Sequence, residues 1–151
     1  MSQPLLQQTG VSGFGRLVAG AVVYAAGRVL VVRRSPDEDF LPRIEELPSG
    51  GCEPGETIGQ ALTRELQEEI GWHGPVEIET GFATHFDYLT RSGVAARQYT
   101  FSVPLGEQVI RLSPEHSSWR WLGRDAVDSS DMTEESKRTV AEWWARYPPT
   151  G

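Results

Sequence analysis

At 151 residues, with a formal net charge of −7 and a pI near 5.0, the chain is long enough for one hydrophobic core and too acidic for a general nucleic-acid binder. Its single cysteine, Cys52, excludes an internal disulfide, and no apolar run reaches the roughly 18 residues needed to span a membrane. No basic-plus-apolar leader opens the sequence, so a soluble, cytoplasmic protein without a membrane partner is expected.

Residues 1–14 are polar and broken by glycine, and are expected to form a flexible segment ahead of a single domain over 15–147. Gly13, Gly15 and Gly20 imitate a dinucleotide fingerprint, but their spacing is wrong and they precede a strand instead of following one. Arg16–Tyr24 and Arg28–Arg34 are rich in β-branched residues and flank an Ala-Ala-Gly turn, which predicts an antiparallel pair. Their near-continuous apolar character predicts a sheet covered on both faces. Arg33 and Arg34 close the second strand, so one is expected to face solvent and the other whatever covers that face. Residues 35–43 read as a loop.

The most informative stretch is Gly50–Trp72, GGCEPGETIGQALTRELQEEIGW. Gly50, Gly51, Pro54 and Gly55 predict a turn. Thr57 with Gln60 three residues on is a capping box, and Gly71 is a stop, so a helix is expected over residues 58–70. On a helical wheel Ile58, Ala61, Leu62, Leu66 and Ile70 form one apolar arc. Glu65 and Glu69 fall inside that arc and Glu68 at its edge, beside Arg64. A solvated charged helix supported by Glu–Arg pairs would place these acids on the far side. Uncompensated ionised carboxylates cost several kcal/mol each to bury, and crowded acids raise one another's pKa. A divalent cation relieves both, and hard oxygen donors at this density suit Mg²⁺, with Mn²⁺ as the alternative. Cys52 in the glycine turn reads as a small filler residue.

Beyond the helix, residues 75–89 predict one or two strands, 90–94 a turn and 95–104 a strand that pairs back as a hairpin. Alternation places Phe86, Tyr88, Arg97, Tyr99 and Phe101 on one face and His85, Asp87 and Gln98 on the other. The aromatic stripe suits a core, or alternatively a platform on which a base stacks. Residues 106–112 read as a loop with an apolar anchor, and 114–121 as an acidic loop running into a strand that carries Trp119 and Trp121. Thr133 can cap a last helix, 134–146, with Val140, Trp143 and Trp144 turned inward. Residues 148–151 are expected to fray.

Gly50, Glu56, Arg64, Glu65, Leu66, Glu68, Glu69, Gly71 and Trp72 match the Nudix hydrolase signature G-x5-E-x7-R-E-U-x-E-E-x-G-U, where U is apolar; only Trp72 departs from the commoner aliphatic residue. The match covers about a sixth of the chain. Residues 45–49 resemble the lead-in of that family, with Ser49 in place of glycine. The resemblance implies the Nudix α/β/α sandwich with a mixed curved sheet. It implies Mg²⁺ on Glu65, Glu68, Glu69 and the Gly50 carbonyl, with Arg64 and Glu56 orienting the acids. Glu115 followed by His116 is similar to the pair with which dihydroneopterin triphosphate pyrophosphohydrolases complete their metal site. Arg33, Arg34, Phe86, Tyr88 and Arg97 become candidate substrate contacts. The implied activity is cleavage of a nucleoside triphosphate to monophosphate and pyrophosphate, in a chain that dimerises in many relatives. ADP-ribose or a nucleotide sugar is the alternative substrate. A non-catalytic nucleotide sensor and a diphosphate isomerase using Cys52 are the alternative classes.

Overall fold

Strands β1 (Arg16–Ala25) and β2 (Arg28–Arg34) carry apolar side chains on both faces, so their sheet has to be covered twice. The structure, a computed structural model that describes residues 4–37 and 42–147, shows both covers. One mixed sheet contains β1, β2, β3 (Glu45–Glu46), β4 (Ser49–Gly51), β5 (Glu79–Leu89), β6 (Ala95–Pro104) and β7 (His116–Leu122). Helix α1 (Ile58–Ile70) packs on one face against Leu17, Ala19, Ala21 and Val23. Helix α2 (Glu134–Arg146) packs on the other against Val22, Val29 and Val31, through Val140, Trp143 and Trp144. Odd and even residues of β1 thus serve different cores, as strand alternation requires. The expected α/β/α sandwich is the architecture found.

The site depends on a fork in this sheet. β1 and β2 are joined by a tight turn in which both Ala26 (φ 51°) and Gly27 (φ 75°) are left-handed, the pattern of a type I′ hairpin. They pair only beside that turn, at Tyr24–Val29 and Ala25–Arg28, and then separate. The segment 45–51 fills the gap. β3 pairs with β2 at Val32 and Arg33, and β4 pairs with β1 at Val18–Gly20. Between them the Pro48 carbonyl accepts the Ala21 amide at 3.0 Å. The far edge of β1 runs parallel to β6, β5 closes that side, and β7 takes the outer edge of β2.

Two expectations are corrected. Residues 4–14 are docked, not loose: Leu5, Leu6, Val11 and Phe14 pack against the α1-side core, and the Gln8 carbonyl accepts the Ile58 amide at 2.9 Å, satisfying a donor of the first helical turn. The glycine-broken composition hid these apolar anchors. The second correction concerns the β5–β6 hairpin. Phe86 stands opposite Gln98, and Asp87 opposite Arg97. Gln98 therefore shares a face with Phe86 and Tyr88, whereas Arg97, Tyr99 and Phe101 lie with His85 and Asp87. Alternation was right within each strand; a one-residue difference in register across the turn exchanges the faces. Residues 1–3 of the N-terminal segment, 38–41 of the loop at 35–43, and the tail 148–151 lie outside the described residues.

Glu45 ties the fork together. It is 3% exposed, and its carboxylate accepts two hydrogen bonds from Arg120 on β7, at 2.6 and 2.8 Å, and one from the Asp131 amide. These bonds, Arg120 first, hold the carboxyl below its ordinary value of 4.5 against the opposing effect of burial. The contribution is therefore complete above pH 4.5 and fades as pH falls through the folded-state value. Arg120→Met should cost about 1–3 kcal/mol at neutral pH by stranding a buried carboxylate. That loss should shrink as the pH is lowered below 4.5, as read from denaturant melts at each pH.

Candidate active site

The helix that carries the acids is locally well specified. Thr57 Oγ1 accepts the Gln60 amide at 3.1 Å and Gln60 Oε1 accepts the Thr57 amide at 2.9 Å. At the far end Gly71 is left-handed, φ 71°. Ile58, Ala61, Leu62, Leu66 and Ile70 are buried, and Glu69 is buried with them at 5% exposure. Glu69 faces the sheet where β1 and β2 have parted, and its Oε2 accepts the Ser49 amide at 3.0 Å.

Arg64 is the hub of the glycine turn. Its Nε and Nη2 bond both oxygens of Glu56 at 2.8 and 3.0 Å, Nη1 bonds Glu65 at 2.8 Å and Glu68 at 3.2 Å, and Nη2 also bonds the Gly51 carbonyl at 2.8 Å. Glu56 in turn accepts the Glu53 amide. Loop and helix are thus fastened by one guanidinium, which its partners, Glu56 foremost, hold protonated. Gly50 lies so close to Glu65 that a Cβ there would overlap the Glu65 carboxyl carbon. The glycine is needed for close approach, not for an unusual backbone angle.

The electrostatics are those of a site short of positive charge. Burial raises Glu65 above the ordinary carboxylate range despite its bond to Arg64. Glu69 is pushed up to about 9, first by burial and then by the charges of Glu65 and Glu46, with Glu115 adding to them. Glu115 arrives on the loop before β7. That loop is anchored to the end of α1 by the Ser113 amide on the Glu69 carbonyl, at 3.0 Å, and by the Ser35 amide on the Glu115 carbonyl. Among the described residues no three acid, histidine or cysteine side chains converge into a closed ligand cage. The acids instead line one wall of an open cavity of about 930 Å³, a volume that suits a nucleotide. An open set of hard oxygens is the donor arrangement of an ion that keeps waters and shares substrate phosphates.

The remaining predicted contacts divide. Arg34, Phe86 and Tyr88 line this cavity. Arg33 turns away to Asp131, at 2.9 Å, and to the Arg43 carbonyl, at 2.7 Å. Arg97 lies on the opposite face of the sheet, clamped to Asp87 and 4.4 Å above the Phe14 ring. Burial pushes the Cys52 thiol up to about 11, so it is not a thiolate nucleophile at neutral pH. Other residues not singled out from sequence join the cavity, among them Arg16, whose guanidinium lies against Gly51; Gln98; and Glu46. Glu46 is bonded by the buried His116 Nε2 at 3.0 Å and by Arg34 at 3.4 Å. Its place beside the acids was readable only once β3 was known to fill the fork.

Because Glu65 has a movable carboxylate, Gly50→Ala should displace that side chain and spare the backbone. Hydrolysis should fall at least about tenfold, since misplacements near 1 Å cost up to about a hundredfold. The melting temperature should stay within about 3 °C of the parent, a shift of under roughly 1 kcal/mol.

Comparison with known proteins agrees with this geometry. The NUDIX domain model matches residues 15–144. The chain is similar to nucleoside triphosphatase NudI of Enterobacter sp. (strain 638), 23% identical over 134 residues that cover 84% of this chain and 95% of that one. It is 32% identical over 128 residues to an RNA pyrophosphohydrolase of Legionella pneumophila (strain Corby), covering 74% of this chain and 70% of that one. Among solved structures it resembles a C. elegans Ap4A hydrolase, with a TM-score of 0.69 and 25% identity, covering 87% of this chain and 98% of that chain. Signature residues gathered on one cavity wall, a fork-and-wedge sheet and a family match over most of the chain lead to one conclusion: this protein belongs to the NUDIX family and is a Nudix hydrolase.

Proposed function

We propose that the protein is a Mg²⁺-dependent pyrophosphohydrolase that cleaves a nucleoside triphosphate to a monophosphate and pyrophosphate. The observation that carries this reading is the pair Glu65 and Glu69, one turn apart, withdrawn from solvent and both raised above the ordinary carboxylate range. Two such groups ask for a cation, and the cavity they line leaves room for the phosphates that would share it. Glu65 and Glu69, with Glu68 and the Gly50 carbonyl, would hold the ion. When bound, Mg²⁺ supplies charge neutralisation on the diphosphate and a lowered pKa for the attacking water. Mn²⁺ would satisfy the same donors.

The chain's own residues do the rest. Arg64 keeps Glu65 aimed at Gly50 and keeps the loop closed through Glu56. The Ser49 amide orients the Glu69 carboxylate. Glu115, on the facing loop, takes the proton of the attacking water as general base. Arg34 and Arg16 line the same cavity and meet the charge of the phosphate chain. Phe86 and Tyr88, ring centroids 6.0 Å apart, offer a stacking surface for the base, worth about 1–3 kcal/mol. The similar chains named for a nucleoside triphosphatase and an Ap4A hydrolase support a nucleotide as substrate.

The test is a substrate panel with Mg²⁺: nucleoside triphosphates, dinucleoside polyphosphates, ADP-ribose and nucleotide sugars, with products resolved by chromatography. Pyrophosphate and a monophosphate from a triphosphate are expected. Turnover confined to ADP-ribose or a nucleotide sugar would overturn the triphosphate reading, and no turnover at all would favour a sensor. Glu69→Gln should lower kcat at least about a hundredfold. In metal-free buffer at neutral pH the same change should raise the melting temperature by about 2–4 °C, because folding no longer has to protonate a carboxyl pushed up to about 9. Mg²⁺ should stabilise the parent protein and not the variant. A variant that melts lower without metal, or keeps its activity, would sink the metal site.

A further inference from the structure

We infer that Gln98 is the residue that reads the base of the substrate, and that its amide selects adenine. This rests on the nucleotide reading above and adds the identity of the base.

Three strands set the floor of the cavity at this point. In register, Val18 of β1, Gln98 of β6 and Phe86 of β5 form a row across the sheet, on the face that also carries Tyr88. All four residues line the cavity. Gln98 is thus a polar side chain between two apolar ones. Its amide lies flat over β1 because residue 20 is glycine: a Cβ there would stand 2.9 Å from Gln98 Nε2 and 3.1 Å from the Ser49 Cβ. Gly20 therefore makes the space the amide occupies. The amide is half-buried, and among the described residues no group hydrogen-bonds it. A half-buried amide with no internal partner on a cavity floor is a donor and an acceptor offered to a ligand.

The sheet also measures the distance. Gln98 stands opposite Val18, and Val18 opposite Gly51, which follows the glycine that touches Glu65. Two strand spacings, about 10 Å, separate the amide from the acid wall. A ribose and its phosphates span that interval, so a base stacked on Phe86 with one edge against Gln98 leaves its phosphates at the acids. Arg16, which lies against Gly51 and forms no ion pair among the described residues, stands between the two ends.

The choice of base follows from hydrogen-bond complementarity. An amide pairs with an adjacent donor and acceptor. Adenine offers such a pair on both its Watson–Crick edge (N6–H and N1) and its Hoogsteen edge (N6–H and N7). Cytosine and uracil offer it on the Watson–Crick edge alone, and guanine there and at N2–H and N3, an edge crowded by the ribose; bidentate glutamine–adenine pairing through N6–H and N7 is a recurrent solution in base recognition. A purine also covers more of the Phe86–Tyr88 surface.

Binding separates this inference from the proposed reaction, because it needs neither metal nor turnover. AMP and GMP would be titrated by calorimetry against the parent protein, Gln98→Glu and Gln98→Leu, with the melting temperature of each recorded. The parent should bind AMP at least about fivefold more tightly than GMP. The carboxylate that Gln98→Glu introduces would present two acceptors, the complement of guanine N1–H and N2–H, so this variant should reverse the ratio. Added repulsion between the carboxylate and phosphate affects both ligands and cancels in it. Gln98→Leu should bring the ratio within about twofold of one, since its side chain has no polar atom with which to tell the bases apart. No AMP preference in the parent, or a ratio unchanged in both variants, would overturn the inference even if triphosphates are hydrolysed. A ratio that behaves as expected would uphold it even if the panel above shows no hydrolysis.

Discussion

Burying the Glu69 carboxylate beside Glu65 is the constraint on which the rest of this molecule turns. A helix of this composition could have kept its acids in water at no cost. Instead Glu69 sits in the same buried stripe as Leu66 and Ile70, where desolvation and neighbouring charge both oppose its ionisation. One backbone amide, that of Ser49, meets it. Such an arrangement is unfavourable for a bare fold and becomes favourable with a cation, which is how binding energy can offset structural strain at a working site.

The fork in the sheet makes this burial possible. A regular β1–β2 ladder would present a continuous floor of side chains to α1. By parting after two residue pairs, the strands admit the segment 45–51, whose short elements turn backbone amides and bare glycines toward the helix. Only glycine at position 50 allows the loop to reach Glu65. Arg64 then locks loop to helix, and the Glu45–Arg120 pair locks the wedge to β7. Charged residues here hold geometry as much as they serve chemistry, and the two roles fall on opposite sides of β3: Glu45 faces Arg120 and Asp131, whereas Glu46 faces the acids.

The cavity has a polarity that follows from strand alternation. Its acid wall comes from α1, β3 and the loop before β7, while its aromatic and amide floor comes from β5 and β6. A nucleotide has the same division between phosphates and base. The opposite face of the same hairpin is ordinary surface and core: Arg97 pairs its charge with Asp87 and lays its plane over Phe14, and Phe101 is fully buried against α1.

Much of this was legible in the sequence because it is local. The capping box, the glycine stop and the 3.6-residue periodicity set both ends of α1, and the same periodicity placed Glu69 inside its buried apolar arc. The last helix, with its buried tryptophans, and the hairpin strands were legible for the same reason: each depends on residues a few positions apart. What only the tertiary structure decided is non-local. Which residue of β6 stands opposite Phe86 depends on the register across a turn, and one step of register moved Arg97 out of the cavity and Gln98 into it. The docking of Leu5, Leu6 and Phe14, the separate fates of Arg33 and Arg34, and the arrival of Arg16 and Glu46 at the acids depend on where strands part and what fills the gap. A side chain's periodicity is written along the chain, but the partner it faces is chosen by hydrogen bonding and packing between segments far apart in sequence.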